Sequence, residues 1–282
     1  MPSFTHAGRR IDYEELGAGR RVCALIHGLL LSKRMHERLA QDLADRGHRV
    51  VSIDLLGHGR SDRPQDMRLY SMGAFAEQVV ALLDHLDVAQ AVIAGTSLGA
   101  NVALEACSLA PGRVRGTVVE MPVLDNALIA SAVVFTPLMV GLEFGGPVAR
   151  LIQRAARAVP SRGVPFLADV VLDTLRQDPG PSAAVLQGLF FARIAPPSDE
   201  RKTFTAPALV IGHRRDPVHP FSDAGMLAQE LPNGQLLIAS SMLELRLSPD
   251  RLTGEIADFM DGCWAQGKRR GRAAATATVS AR

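Results

Sequence analysis

A serine set between two glycines, Gly95-Thr96-Ser97-Leu98-Gly99, is the pattern in this chain with the clearest chemical meaning. A serine hydroxyl is a weak nucleophile at neutral pH and attacks a carbonyl only when a neighbouring base, normally an imidazole, takes its proton. The flanking glycines suit a tight turn from a strand into a helix, which leaves the serine facing the positive end of the helix dipole. The chain has 282 residues and 8 histidines, and the last of them is His219. The late segment therefore offers no imidazole, and a base has to come from elsewhere.

The elements that must hold such a residue are legible as alternating apolar runs and amphipathic stretches, the pattern of a mostly parallel sheet wrapped by helices. Strands are expected at residues 22–26, 50–53, 91–94, 114–119, 208–211 and 235–239. Helices are expected at 35–46, 72–86, 98–109, 223–231 and 249–260. Polar chemistry gathers where strands end: His27-Gly28 after the first, Asp54 after the second, the serine after the third and Glu120 after the fourth. Residues 125–205 break this rhythm, since connections in compact α/β units are about 2–6 residues long. They read as a helical cap rich in apolar residues such as Leu128, Phe135, Met139, Leu142, Leu189 and Phe190, with an inner face suited to an apolar cavity. The expected organisation is a core of 1–124 and 206–266, a cap of 125–205, and a disordered basic tail of 267–282.

Composition bounds the function classes. Lys+Arg of 31 against Asp+Glu of 29 gives a formal charge of +2, too even a balance to argue for nucleic acid as a partner. Cys23, Cys107 and Cys263 are far apart and match no metal or disulfide spacing, so they read as small buried residues of a reduced compartment. The start Met-Pro-Ser-Phe-Thr-His lacks a secretory pattern, and no run of about 18 apolar residues escapes charge, Pro or Gly. A cytoplasmic location, no membrane span, no cofactor and no metal are the expectations; oligomeric state is silent.

With these motifs in place the chain resembles an α/β-hydrolase from about Phe4 to Trp264. Four stretches carry the likeness: the serine turn; Ile26-His27-Gly28-Leu29-Leu30; Asp54-Leu55-Leu56-Gly57-His58-Gly59-Arg60-Ser61-Asp62; and Gly212-His213-Arg214-Arg215-Asp216-Pro217-Val218-His219-Pro220. The resemblance implies that the backbone N–H groups of Leu29 and Leu98 form an oxyanion hole, which needs no special side chain. It implies that Asp216 is the acid that orients an imidazolium, and that His27 and His58 are structural. An aspartate nucleophile, used by some enzymes of this fold, is excluded because position 97 is serine.

One element of the pattern is missing. The resemblance implies a base histidine shortly before a proline that opens the final helix, and alignment on Pro249 puts Met242 or a neighbour there; a thioether cannot accept the proton. Three substitutes follow. His219 lies three residues beyond Asp216 on the same loop; His213 ends the preceding strand; Glu244, set among Met242, Leu243 and Leu245, becomes a base if desolvation raises its pKa. The expected function is acyl transfer or hydrolysis of an apolar ester or thioester through Ser97, Asp216 and His219. The alternative is a scaffold that binds, isomerises or cyclises an apolar carbonyl compound without hydrolysis, with Ser97 as a hydrogen-bond donor.

Overall fold

Strands Val22–Ile26 (β3) and Ala91–Thr96 (β5) are buried along their whole length, as continuous apolar strands covered on both faces must be. The computed structural model describes residues 2–160 and 164–279, with backbone alone for Leu167 and for residues 266–279. Around these two strands it builds an eight-stranded sheet in the order β1-β2-β4-β3-β5-β6-β7-β8. The remaining strands are Ser3–His6 (β1), Arg9–Leu16 (β2), Arg49–Ile53 (β4), Val114–Glu120 (β6), Ala208–His213 (β7) and Gly234–Ala239 (β8). From β4 to β8 every pairing is parallel, while β1 and β2 join antiparallel at one edge. This hairpin is absent from the sequence expectations, because its short alternating pattern is interrupted by charge.

Helices cover both faces. Glu37–Asp45 (α1), entered through a 3-10 turn at Lys33–His36, packs on one face with the long terminal helix. Met72–His85 (α2) and Leu98–Leu109 (α3) cover the other face. The chain runs from β3 to β4 on one side and then to β5 on the other, so the strand order reverses between β3 and β5. The crevice beyond the carboxyl ends of those two strands is where open α/β sheets bind ligands.

The cap leaves the sheet after β6 and comprises Leu128–Phe144 (α4), Gly146–Ala158 (α5), Phe166–Leu175 (α6), Pro179–Phe191 (α7) and Ser198–Arg201 (α8). Two core side chains hold its ends. Asn101 of α3 bonds both Val123, where the cap departs, and the Ile194 carbonyl, where it returns. Buried Asp223, on the helix Phe221–Glu230 (α9), accepts the backbone N–H groups of Leu124, Asn126 and Ala127 at 2.9–3.1 Å. On the far side Arg34 pairs with Asp169 and Asp173, and the Thr174 hydroxyl donates to the Leu30 carbonyl at 2.9 Å.

Residues 125–144 form a helical stretch of mean hydropathy 1.9, long and apolar enough to cross a membrane by composition. Pro137 and Gly141 lie within this helix, which runs from Leu128 to Phe144. Residues 267–282, expected as a disordered tail, continue the last helix, Asp250–Val279 (α11), as far as Val279. The Ala, Lys and Arg content there favours helix, and residues 280–282 lie outside the described residues.

The segment that takes the place of the missing histidine loop is a short helix, Glu244–Leu247 (α10), and it delivers a buried cation. Arg246 pairs with Glu120 at the end of β6 and donates to the Thr96 hydroxyl at 2.9 Å, and Thr96 in turn donates to Glu120 at 2.5 Å. Burial by itself would push the Glu120 carboxyl up, but Arg246 and the hydrogen bonds from His213, Arg246 and Thr96 hold it far below the carboxylate range. His36 beside this group is pushed down to about 3, first by burial and then by repulsion from Arg246. This ion pair braces the strand ends from which the serine turn springs.

Gly99 also carries a steric demand: a Cβ there would overlap the Ile26 carbonyl oxygen of β3. Gly99→Ala is therefore expected to separate α3 from β3 and cost about 3 kcal/mol or more in urea unfolding, against about 1 kcal/mol for an ordinary substitution. Arg246→Met strands the Glu120 charge and should cost about 3–5 kcal/mol, with much of it restored in Arg246→Met/Glu120→Gln. Both His36 and Glu120 have folded pKa values below their unfolded ones, so each binds fewer protons when folded, and stability must fall with falling pH. Between roughly pH 6.5 and 3 the loss from His36 alone is about 1.4 kcal/mol per pH unit. Denaturant midpoints of the parent and His36→Gln across that range should diverge in slope accordingly.

Candidate active site

Ser97 sits at φ 54° and ψ −110°, a conformation that L-residues rarely adopt and that persists only where the surroundings enforce it. Three features enforce it here. The Ser97 N–H donates to the Glu120 carbonyl at 2.8 Å, and the Ser97 carbonyl accepts from Asn101 N at 3.1 Å to start α3. Gly95 leaves no space for a side chain against the backbone of Gly99. The hydroxyl is thereby thrust from the end of β5 toward the crevice.

The structure brings together the three residues Ser97, His219 and Asp216. Ser97 Oγ lies 2.9 Å from His219 Nε2, and His219 Nδ1 lies 2.9 Å from Asp216 Oδ2. The other Asp216 oxygen accepts the backbone N–H of Val218 at 2.8 Å and of His219 at 2.9 Å. Asp216 has no exposed side-chain surface, whereas the imidazole keeps 13%. Burial would raise the Asp216 carboxyl, but the His219 bonds through side chain and backbone, the His219 charge and the Val218 N–H together hold it below its ordinary value. A carboxylate cannot donate, so Nδ1 carries the proton and Nε2 is left as the acceptor facing Ser97. The loop is stiff for a local reason. Pro217 and Pro220 fix two φ angles on either side of Val218-His219, and Pro220 starts α9.

Leu29 and Leu98 flank the same point. Leu98 is the first residue of α3, where backbone N–H groups lack intrahelical partners. Leu29 lies in the turn closed by Leu31 N donating to the Gly28 carbonyl at 3.2 Å, with Leu30 at φ 58°. Among the described residues neither N–H is taken up by another group. Both residues border, with Ser97, a cavity of about 230 Å³ whose other walls include Phe135, Met139, Leu186 and Leu189 from the cap. This wall is almost wholly apolar, and its side-chain hydroxyls are those of Ser97 and of Ser131 on α4.

The other candidate bases are engaged elsewhere. His213 is buried at the end of β7, 2.9 Å from the Ser241 carbonyl through Nδ1 and 3.4 Å from Glu120 through Nε2. Glu244 is not a desolvated base. Its hydrogen bonds from Arg251 lead the causes that hold its carboxyl below the ordinary value, and the Ser240 N–H adds to them. Arg246, two residues further on, pairs with Glu120 and not with Glu244. Met242 is 37% exposed in the loop after β8. His27 accepts the Leu55 N–H at 3.1 Å and is pushed down by burial, a turn-holding arrangement. The thiols of Cys23 and Cys107 are pushed up to about 12 by burial, so neither is a competing nucleophile. Sequence reasoning missed Thr96, Glu120 and Arg246 as a unit, because nothing in the spacing of an acid and a base 126 residues apart marks them as a pair.

Comparison with known proteins agrees with this fold. A family model described as the alpha/beta hydrolase fold matches residues 24–241. The chain is 36% identical over 91 residues to the AB hydrolase superfamily protein YisY of Bacillus subtilis, a match spanning 32% of this chain and 33% of that protein. It is 32% identical over 139 residues to the 2-hydroxymuconate semialdehyde hydrolase of Pseudomonas sp. strain CF600, spanning 49% of this chain and 45% of that one. These matches thus cover less than half the length of either relative. Among solved structures, the enol-lactonase from Burkholderia xenovorans LB400 superposes with a TM-score of 0.74 at 21% identity, over 92% of this chain and 100% of the other. The semialdehyde hydrolase and the enol-lactonase are hydrolytic enzymes by name, and this chain belongs to the α/β-hydrolase fold family.

Proposed function

We propose that the protein is a serine hydrolase of small apolar esters or thioesters, with Ser97 as nucleophile, His219 as a relocated base and Asp216 as the acid that orients it. The observation that carries this reading is the unbroken chain from Ser97 Oγ to His219 Nε2 and from His219 Nδ1 to Asp216, each at 2.9 Å. His219 takes the hydroxyl proton as Oγ attacks the carbonyl carbon. The carbonyl oxygen gains negative charge and is held by the Leu29 and Leu98 N–H groups, donors that are fixed before the reaction and so need little reorganisation. The imidazolium, stabilised by Asp216, then protonates the leaving alcohol or thiol. Water repeats the sequence on the acyl-enzyme, with His219 again taking a proton and Ser97 released.

A base on the acid's own loop has a physical advantage. Asp216 holds the ring and its backbone at once, so tautomer and position are set by three bonds within four residues. The apolar walls favour acyl groups without charge, and the cavity of about 230 Å³ limits them to modest size. The semialdehyde hydrolase named above is a relative that hydrolyses its substrate, which supports hydrolysis as the outcome of acyl transfer.

A fluorophosphonate probe should label Ser97, and p-nitrophenyl esters of short fatty acids should be turned over. His219→Ala is expected to lower kcat by about 10⁴–10⁶, and Asp216→Asn by about 10⁴ through the wrong tautomer. His213→Gln should leave turnover within about tenfold. Folded protein that takes no label at Ser97, or a His219→Ala variant with parental kcat, would overturn this reading in favour of a scaffold that only holds its ligand.

A further inference from the structure

The cap has an inner face that closes the cavity and an outer face with an unusual composition. On α4, Ile129, Val133, Val140 and Phe144 fall on one helical stripe, and they are 79%, 68%, 46% and 81% exposed. On α5, Val148, Leu151 and Ile152 continue the apolar surface at 63%, 66% and 48%. Only Gln153 and Ala156 of α5 are buried, and a separate stripe of this helix carries exposed Arg150, Arg154 and Arg157. From residue 126 to residue 168 the sequence holds four arginines, at 150, 154, 157 and 162, against a single carboxylate, Glu143. Neither Arg150 nor Arg154 has a carboxylate partner among the described residues.

We infer that this face docks onto the surface of an anionic lipid bilayer, with α4 and α5 lying in the interfacial plane. Charge decides the occupant. An apolar face with a separate arginine stripe on the same helix matches acyl chains beneath negatively charged headgroups. A second copy of the chain in a twofold contact would instead set the arginines of one α5 near those of the other. The stretch lies on the membrane and does not cross it, because Asp223 ties the residues just before α4 to the core and the inner side of α4 packs on α7. Leu128 and Phe190 line the cavity and are also 43% and 51% exposed, so the cavity reaches the surface of the cap beside α4. Docking there lets an apolar compound pass from lipid to the cavity without crossing water. The inference does not depend on the chemistry assigned to Ser97.

Co-sedimentation of the full chain with vesicles tests this, using phosphatidylglycerol mixed with phosphatidylcholine against phosphatidylcholine alone. The protein should partition onto the anionic vesicles and be released as salt rises from about 0.1 M to 1 M. Arg150→Gln/Arg154→Gln should weaken partition about 30-fold, and Ile129→Ser/Phe144→Ser about tenfold or more. All four positions are exposed and outside the cavity wall, so thermal unfolding should be parental in both variants. Failure to sediment with anionic vesicles would overturn the inference, as would equal partition of parent and arginine variant. So would a dimer in analytical ultracentrifugation that Ile129→Ser/Phe144→Ser converts to monomer.

Discussion

The first turn of α3 lies so close to β3 that no side chain fits between them. Gly99 lies against the Ile26 carbonyl and Gly95 against Gly99, and each contact requires the absence of a Cβ. That closeness sets the distance between the two loops that matter, the one after β3 with Leu29 and the one after β5 with Ser97. It also forces the positive φ of Ser97, which turns the hydroxyl outward and leaves the Leu98 N–H free at the start of a helix. Behind the turn, the buried group of Thr96, Glu120 and Arg246 fixes the strand ends against which this strain is held.

Moving the imidazole to the loop after β7 changes what the late chain has to do. In the arrangement that the motifs resemble, the loop after the last strand carries the base. Here it folds into α10 and contributes Arg246, a cation that would be costly in this interior without Glu120. The loop after β8 is thus structural here, and the imidazole that faces Ser97 stands on the loop after β7. Two prolines make this feasible, since a flexible loop would spread His219 over many positions and lose the hydrogen-bond reach that proton transfer needs.

The cap answers two solvents at once. Its inner residues complete an apolar cavity over Ser97, and its ends are secured by Asn101 and Asp223 through backbone bonds that do not depend on apolar packing. Such anchoring lets α4 keep most of its circumference out of the core. The helix is therefore almost without buried side chains although it is the most apolar in the chain.

Much of this was readable in the amino-acid order. Apolar runs gave six of the parallel-sheet strands nearly to their ends, because local periodicity reflects which faces are covered, and the break in rhythm falls where α4 to α8 intervene between β6 and β7. The Gly-x-Ser-x-Gly turn identified Ser97, and Asp216-Pro217-Val218-His219 put an acid and an imidazole three residues apart. What the order alone left open was which of His219, His213 and Glu244 faces the serine. That choice turns on where β5 and the loop after β7 lie in space, 122 residues apart along the chain, and on which polar partners claim the rivals first. The same holds for Arg246 with Glu120 and for the outer face of α4. Sequence fixes which residues are apolar or charged, but only the packing of the whole chain decides which of them stay in solvent.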